Sequence, residues 1–123
     1  ERLIRLAREN LAKGVATVAI SVSLYEADNF EAMQKRATEK KYPFAYLHDT
    51  SQKVGKDYGA LWTPQVFLLD RERRVAYMGS LDDSMHSHKV KQQFLADAIN
   101  SMLQGRPVEI DETKPVGCPI HYD

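Results

Sequence analysis

Cys118 is the only cysteine in the chain and therefore its only sulfur nucleophile. A thiolate attacks disulfides and peroxides when its surroundings stabilise the anion and leave it accessible. The competing reading is a small inert residue in a docked tail, since free cysteine is often buried. Three histidines offer a second chemistry. Cys118 and His121 form a C-x-x-H pair and His86 and His88 an H-x-H pair. Together the four would supply soft and imidazole ligands for a tetrahedral zinc ion. Such short patterns are unspecific, and an H-x-H in a polar loop is ordinarily solvated. His48 has no serine or cysteine nucleophile that spacing pairs with it, and reads as a hydrogen-bonded structural residue. Neither a Gly-rich phosphate loop nor a paired-carboxylate signature is present, and no cofactor is implied.

Trp62, Thr63 and Pro64 stand at the mouth of an apolar run, Val66-Phe67-Leu68-Leu69. A charged turn, Asp70 to Arg74, and a second apolar run, Val75 to Met78, follow. Proline cannot donate to a sheet ladder and belongs at the first residue of a strand. The residue before it is pushed out of helical conformation. The stretch therefore predicts a hairpin entered through Thr63-Pro64, a place where proline commonly forms one wall of a substrate groove. Trp62 suits ligand stacking and a core or interface position equally well. The arginines of the turn read as a solvated hairpin end rather than an anion site.

The remaining elements must position these residues. Leu3, Leu6, Ala7 and Leu11 share a helical face, and Gly14 is a natural stop. Val15 to Val22 is nearly continuous and β-branched, which suits a parallel strand covered on both faces. Asp28 with Glu31 resembles a capping box, opening a helix with Phe30, Met33 and Ala37 inward that runs to about Lys41. Phe44 to Leu47 is a short strand. Asp49, Thr50 and Ser51 can each cap a further helix that uses Val54 and Tyr58 and closes at Gly59. A polar loop from Ser80 to Ser87 leads to a last helix over about Lys89 to Gln104, with Val90, Phe94, Leu95, Ile99, Met102 and Leu103 inward and Gly105 as its stop. Pro107 to Asp123 is a tail without clear periodicity. Strands alternating with helices predict α/β layers around a partly parallel sheet, ending in an antiparallel hairpin.

A chain of 123 residues is expected to form one domain with a real core. Lysine plus arginine equal aspartate plus glutamate at 17 each, so no charge field points to nucleic acid or an anionic membrane. The longest apolar run is too short to span a bilayer, and the start has no signal-peptide pattern. A lone cysteine excludes an intrachain disulfide framework and leaves cytoplasmic and periplasmic locations open.

This order of elements, and the residues carrying it, resemble the thioredoxin-like superfamily. The nearest likeness is to its redoxin branch of thiol-disulfide oxidoreductases and peroxiredoxin-like proteins, of bacterial type. The matching pieces are Lys13 to Ser21, Tyr42 to Leu47 with Asp49, Tyr58-Gly59-Ala60 with Thr63-Pro64, and Phe67 to Asp70. Tyr77-Met78-Gly79 with Leu81-Asp82-Asp83, and the tail Gly117-Cys118-Pro119-Ile120, complete the set. The resemblance implies a single thioredoxin-like domain over residues 1–123, with a mixed sheet flanked by helices and a C-terminal hairpin plus helix. Thr63-Pro64 would be the cis-proline facing the active-site cysteines. With Trp62 it would position a protein or peptide thiol or disulfide substrate for thiol-disulfide exchange or peroxide reduction.

Two departures qualify that expectation. Relatives carry a Cys-x-x-Cys or a peroxidatic cysteine at the start of the helix whose remainder is Glu1 to Lys13, where the dipole lowers a thiol pKa. The chain opens inside that helix, so an upstream segment is expected to carry those cysteines, with Cys118 as a possible resolving thiol. Many relatives also place cysteine where Trp62 stands. The strand feeding the first helix would lie between Val15–Val22 and Val66–Leu69, and without it two apolar edges are unpaired. An upstream segment, re-pairing of the remaining strands, or a second protomer can fill the gap. If the chain is complete, a homodimer through those edges is expected. The alternative to catalysis is a noncatalytic protein-binding or self-associating module.

Overall fold

A computed structural model describes residues 1–123, which form two compact units: Glu1–Ala60 with Ile120–Asp123, and Leu61–Pro119.

In the first unit, α1 (Arg2–Leu11) buries Ile4, Ala7 and Asn10. The buried stripe is rotated from the expected face, and Leu11 is exposed. The helix ends as expected around Gly14, whose φ of 86° lies in the left-handed region. There the Val15 amide reaches back to the Asn10 carbonyl. β1 (Val18–Ser21) pairs in parallel with β2 (Ala45–His48), in the register Val18 to Ala45 and Ile20 to Leu47. The sheet has only these two strands. Coverage on both faces is not found, because Val18, Ile20 and Leu47 on one face are 55%, 43% and 51% exposed.

α2 (Phe30–Glu39) packs on β2 and buries Met33, while Phe30 is exposed. Its cap is Asn29, whose Oδ1 accepts from the Ala32 amide at 2.9 Å. Asp28 is not the cap because its carboxylate is engaged elsewhere, by the Ser23 hydroxyl at 2.7 Å and by Arg36. α3 (Lys53–Tyr58) is braced by Asp49, whose carboxylate accepts from the Val54 amide at 2.9 Å. Hydrogen bonds from the Ser51 hydroxyl and the Val54 amide hold that carboxyl below its usual range. Gly59 ends α3 at a φ of 71°.

In the second unit, β3 (Trp62–Thr63) leads through Pro64 into the antiparallel hairpin of β4 (Val66–Leu69) and β5 (Val75–Gly79). Asp70 organises the turn: its carboxylate accepts from the amides of Glu72 at 2.8 Å and Arg74 at 2.9 Å. α4 (Phe94–Leu103) packs on both strands and buries Leu95, Ala98 and Ile99. Full burial of a leucine or isoleucine contributes about 1.5–3 kcal/mol. These side chains, with Leu68 and Tyr77, make the core of this unit.

α4 begins later than the periodicity predicts. Residues before Phe94 are drawn into the loop instead: the Lys91 amide donates to the Asp83 carboxylate and the Gln92 carbonyl accepts from the Asp83 amide. The tail is also more ordered than its composition implies, since β6 (Cys118–Pro119) pairs antiparallel with β3.

Candidate functional site

The site is built on the chain entering β4. Gln65 folds back so that its Oε1 accepts from the amides of Leu61 at 3.0 Å and Trp62 at 3.3 Å. That clasp closes the turn between β3 and β4. Trp62 is half-buried, Thr63 and Pro64 are exposed, and the Thr63–Pro64 peptide is cis.

Strand β6 lies along β3 with Thr63 opposite Cys118 and Trp62 opposite Pro119. Cys118 is exposed. The approach is tight one residue earlier. A Cβ on Gly117 would stand 2.8 Å from the Thr63 carbonyl carbon and nearer still to its oxygen, a distance real side chains do not adopt. Glycine is therefore required for the strands to meet.

The segment leading to β6 is fixed to β5. The Met78 amide donates to Asp111 O and the Thr113 amide to Met78 O, each at 3.0 Å. The Thr113 hydroxyl then enters a polar cluster. It lies 2.6 Å from the Tyr77 hydroxyl and accepts from the Ser80 amide at 3.0 Å. Tyr77 is fully buried, and its hydroxyl donates to the Ser80 carbonyl at 2.6 Å. Burial pushes this phenol above its ordinary range, with its hydrogen bonds pulling the other way.

Within the first unit, Ile120–Asp123 has its own receptor. Gln52 is 1% exposed; its Nε2 donates to His121 O and Val22 O, both at 2.9 Å, and its Oε1 accepts from the Asp123 amide at 3.0 Å. A primary amide thus reads the peptide backbone as a neighbouring strand would. The Tyr122 hydroxyl donates to Ala60 O at 2.6 Å, and it passes over Gly55, where a Cβ would lie 2.5 Å from it.

Of the residues singled out in the sequence, Trp62, Thr63 and Cys118 share one strand pair, and Pro64 follows directly after β3. No group of three or more His, Cys, Asp or Glu side chains is placed to hold a metal ion. His86 and His88 are neighbours, with ring centroids 5.8 Å apart. His121 instead packs edge-on against Tyr25 at 5.7 Å. His48 is bonded through Nε2 to Ser23 O at 2.9 Å, as a structural histidine would be. Sequence reasoning missed Gln65, Thr113, Gln52 and Tyr122, and took Gly117 only as part of the matching tail. Only Gly117 carried a signal, as the one glycine in an otherwise irregular tail.

The parallel β1–β2 pair, the β4–β5 hairpin, the flanking helices and the proline at the entry to β4 define a thioredoxin-like α/β protein. Residues 2–94 match the Redoxin family, and the chain belongs to that family. It is similar to a solved uncharacterized conserved protein from Geobacillus kaustophilus, at 38% identity and a TM-score of 0.90. The match covers 99% of this chain and 67% of that one. A hypothetical protein from Sinorhizobium meliloti 1021 is similar at 33% identity and a TM-score of 0.91, over 99% of this chain and 69% of the other. No curated protein matches the chain.

Proposed function

We propose that this Redoxin chain takes part in thiol-disulfide exchange, with Cys118 as the exchanging thiol. Trp62, Thr63 and Pro64 are the wall against which a protein or peptide disulfide lies. The observation that carries this reading is the β3–β6 register, which makes Cys118 the direct partner of Thr63. The Cys118 thiolate attacks one sulfur of the substrate disulfide. A mixed disulfide forms, the substrate S–S bond breaks, and the departing thiolate takes up a proton. A second thiol, such as a small cellular thiol, attacks the mixed disulfide and restores Cys118. Peroxide reduction would use the same nucleophile: the thiolate attacks one peroxide oxygen, the O–O bond breaks, and the departing oxygen leaves as water or an alcohol. Two small cellular thiols then return the sulfenic acid to the thiol, with release of water and their disulfide.

The test separates the wall from the thiol. Trp62→Ala should slow mixed-disulfide formation with a peptide disulfide about ten-fold, the equivalent of roughly 1.4 kcal/mol from one stacking aromatic. Its reaction with a small aliphatic disulfide should be unchanged. Equal rates with both probes, or equal slowing of both, would remove the wall from the reading.

A second reading, a noncatalytic self-associating module, is favoured by the exposed apolar face of Val18, Ile20 and Leu47. Exposed apolar surface of this kind marks interaction sites. A monomeric mass in light scattering at micromolar concentration would dismiss self-association.

A further inference from the structure

The backbone edge of β3, which belongs to the residues read above as the substrate wall, is already occupied by the chain itself. β6 contributes only Cys118 and Pro119 to the pairing, and proline has no amide to donate. A ladder that short is marginal on its own. The segment before it is secured instead by Thr113, through its backbone bonds to Met78 and its hydroxyl's contacts with Tyr77 and Ser80. A weak strand delivered by a strong anchor is suited to local release, because β6 can lift from β3 while the anchor keeps it nearby. Gly117 adds a chemical restriction, since a side chain at its position would run into the Thr63 carbonyl.

We propose that residues 114–119 are a built-in competitor strand. They occupy the backbone edge of Trp62–Thr63 in the resting chain and must lift before substrate pairs there. Cys118 lifts with them, so its place opposite Thr63 is the resting state, and the tether at Thr113 keeps the thiol beside the wall for exchange. The substrate segment that replaces them is extended and carries glycine where Gly117 lies. This inference rests on the reading of Trp62, Thr63 and Pro64 as a substrate wall.

The test uses the 123-residue chain and a blocked peptide with the sequence of residues 114–120, its cysteine replaced by serine. Binding is followed by the fluorescence of Trp62, the single tryptophan. Gly117→Val levers β6 away from β3, and Thr113→Val loosens the anchor should the first variant fail to fold. Amide exchange at the paired residues Thr63 and Cys118 reports whether the edge has opened, since the Leu61 and Trp62 amides are held by Gln65 in either state. With the strand docked, only a fraction of molecules is competent, so the peptide should bind the opened variant about ten-fold more tightly than the parent chain. A control peptide with valine in place of the glycine should bind neither.

Equal affinity for parent and opened variant, with the control peptide excluded, would overturn the competitor strand and leave the wall reading intact. Failure of the peptide to bind any form, with exchange showing the edge open, would overturn the wall reading and the inference with it. Unchanged exchange in both variants would show that the strand is not seated on β3, and would also overturn the inference.

Discussion

Gly79→Val is expected to destabilise the protein by about 2–5 kcal/mol, combining a backbone conformation closed to β-branched residues with overpacking. Gly79 ends β5 at a φ of 145°, which L side chains rarely adopt. A Cβ there would also stand 2.9 Å from the Thr113 amide nitrogen, and closer to its carbonyl and hydroxyl. Neither obstacle is relieved by a rotamer change, because the obstructing atoms include backbone held by the Met78 bonds. A loss of this size is a large share of the roughly 5–15 kcal/mol that keeps a domain folded. It should appear as a lower denaturant midpoint, with faster amide exchange at Thr113. A loss below about 1 kcal/mol, within the range of ordinary surface substitutions and minor adjustments, would mean that Thr113 does not sit against this glycine.

Tyr77→Phe should cost about 1–3 kcal/mol, because it strips the Ser80 carbonyl of its buried donor and the Thr113 hydroxyl of its acceptor at almost unchanged volume. The hydroxyl serves both Ser80 O and Thr113 Oγ1, so its removal loosens the loop after β5 and the anchor of the β6 segment together. The variant also has a pH signature. Burial raises the Tyr77 phenol above its ordinary value, so the unfolded chain releases this proton first. The stabilisation is complete below the ordinary tyrosine value of about 10 and is lost as pH rises through the raised folded value. Tyr122 is shifted in the same direction by burial. The alkaline loss of stability in urea titrations should therefore be shallower in Tyr77→Phe, without vanishing. Identical slopes above about pH 10 in the two proteins would contradict the buried cluster.

The contrast between the legible and illegible parts of this fold is physical. Gly14, Gly59 and Gly105 punctuate helices, and Asp70 to Arg74 forms a turn; these are local choices of backbone conformation, and the sequence displays them directly. Asn29 taking the cap from Asp28 depends on Ser23 and Arg36 holding the Asp28 carboxylate, which short-range patterns do not reveal. The exposure of Val18 and Ile20 likewise depends on the two-strand limit of their sheet. At the site, Trp62, Thr63 and Pro64 were visible because proline constrains its neighbours. The partnership with Cys118 was not, since a two-residue strand has no periodicity and its register is set by Gly117 and Thr113 through contacts distant in sequence.

The central claim is that residues 117–119 lie on the edge of Trp62–Thr63 and so place Cys118 opposite Thr63. Thr63→Cys tests it most directly, because directly opposed antiparallel residues have Cα separations of about 4.5–5.5 Å, within disulfide range. Under mild oxidation the variant should close an intramolecular disulfide to Cys118, losing two hydrogens in intact mass and leaving no free thiol. Two persistently free thiols, or only intermolecular disulfides, would contradict the pairing and the function built on it.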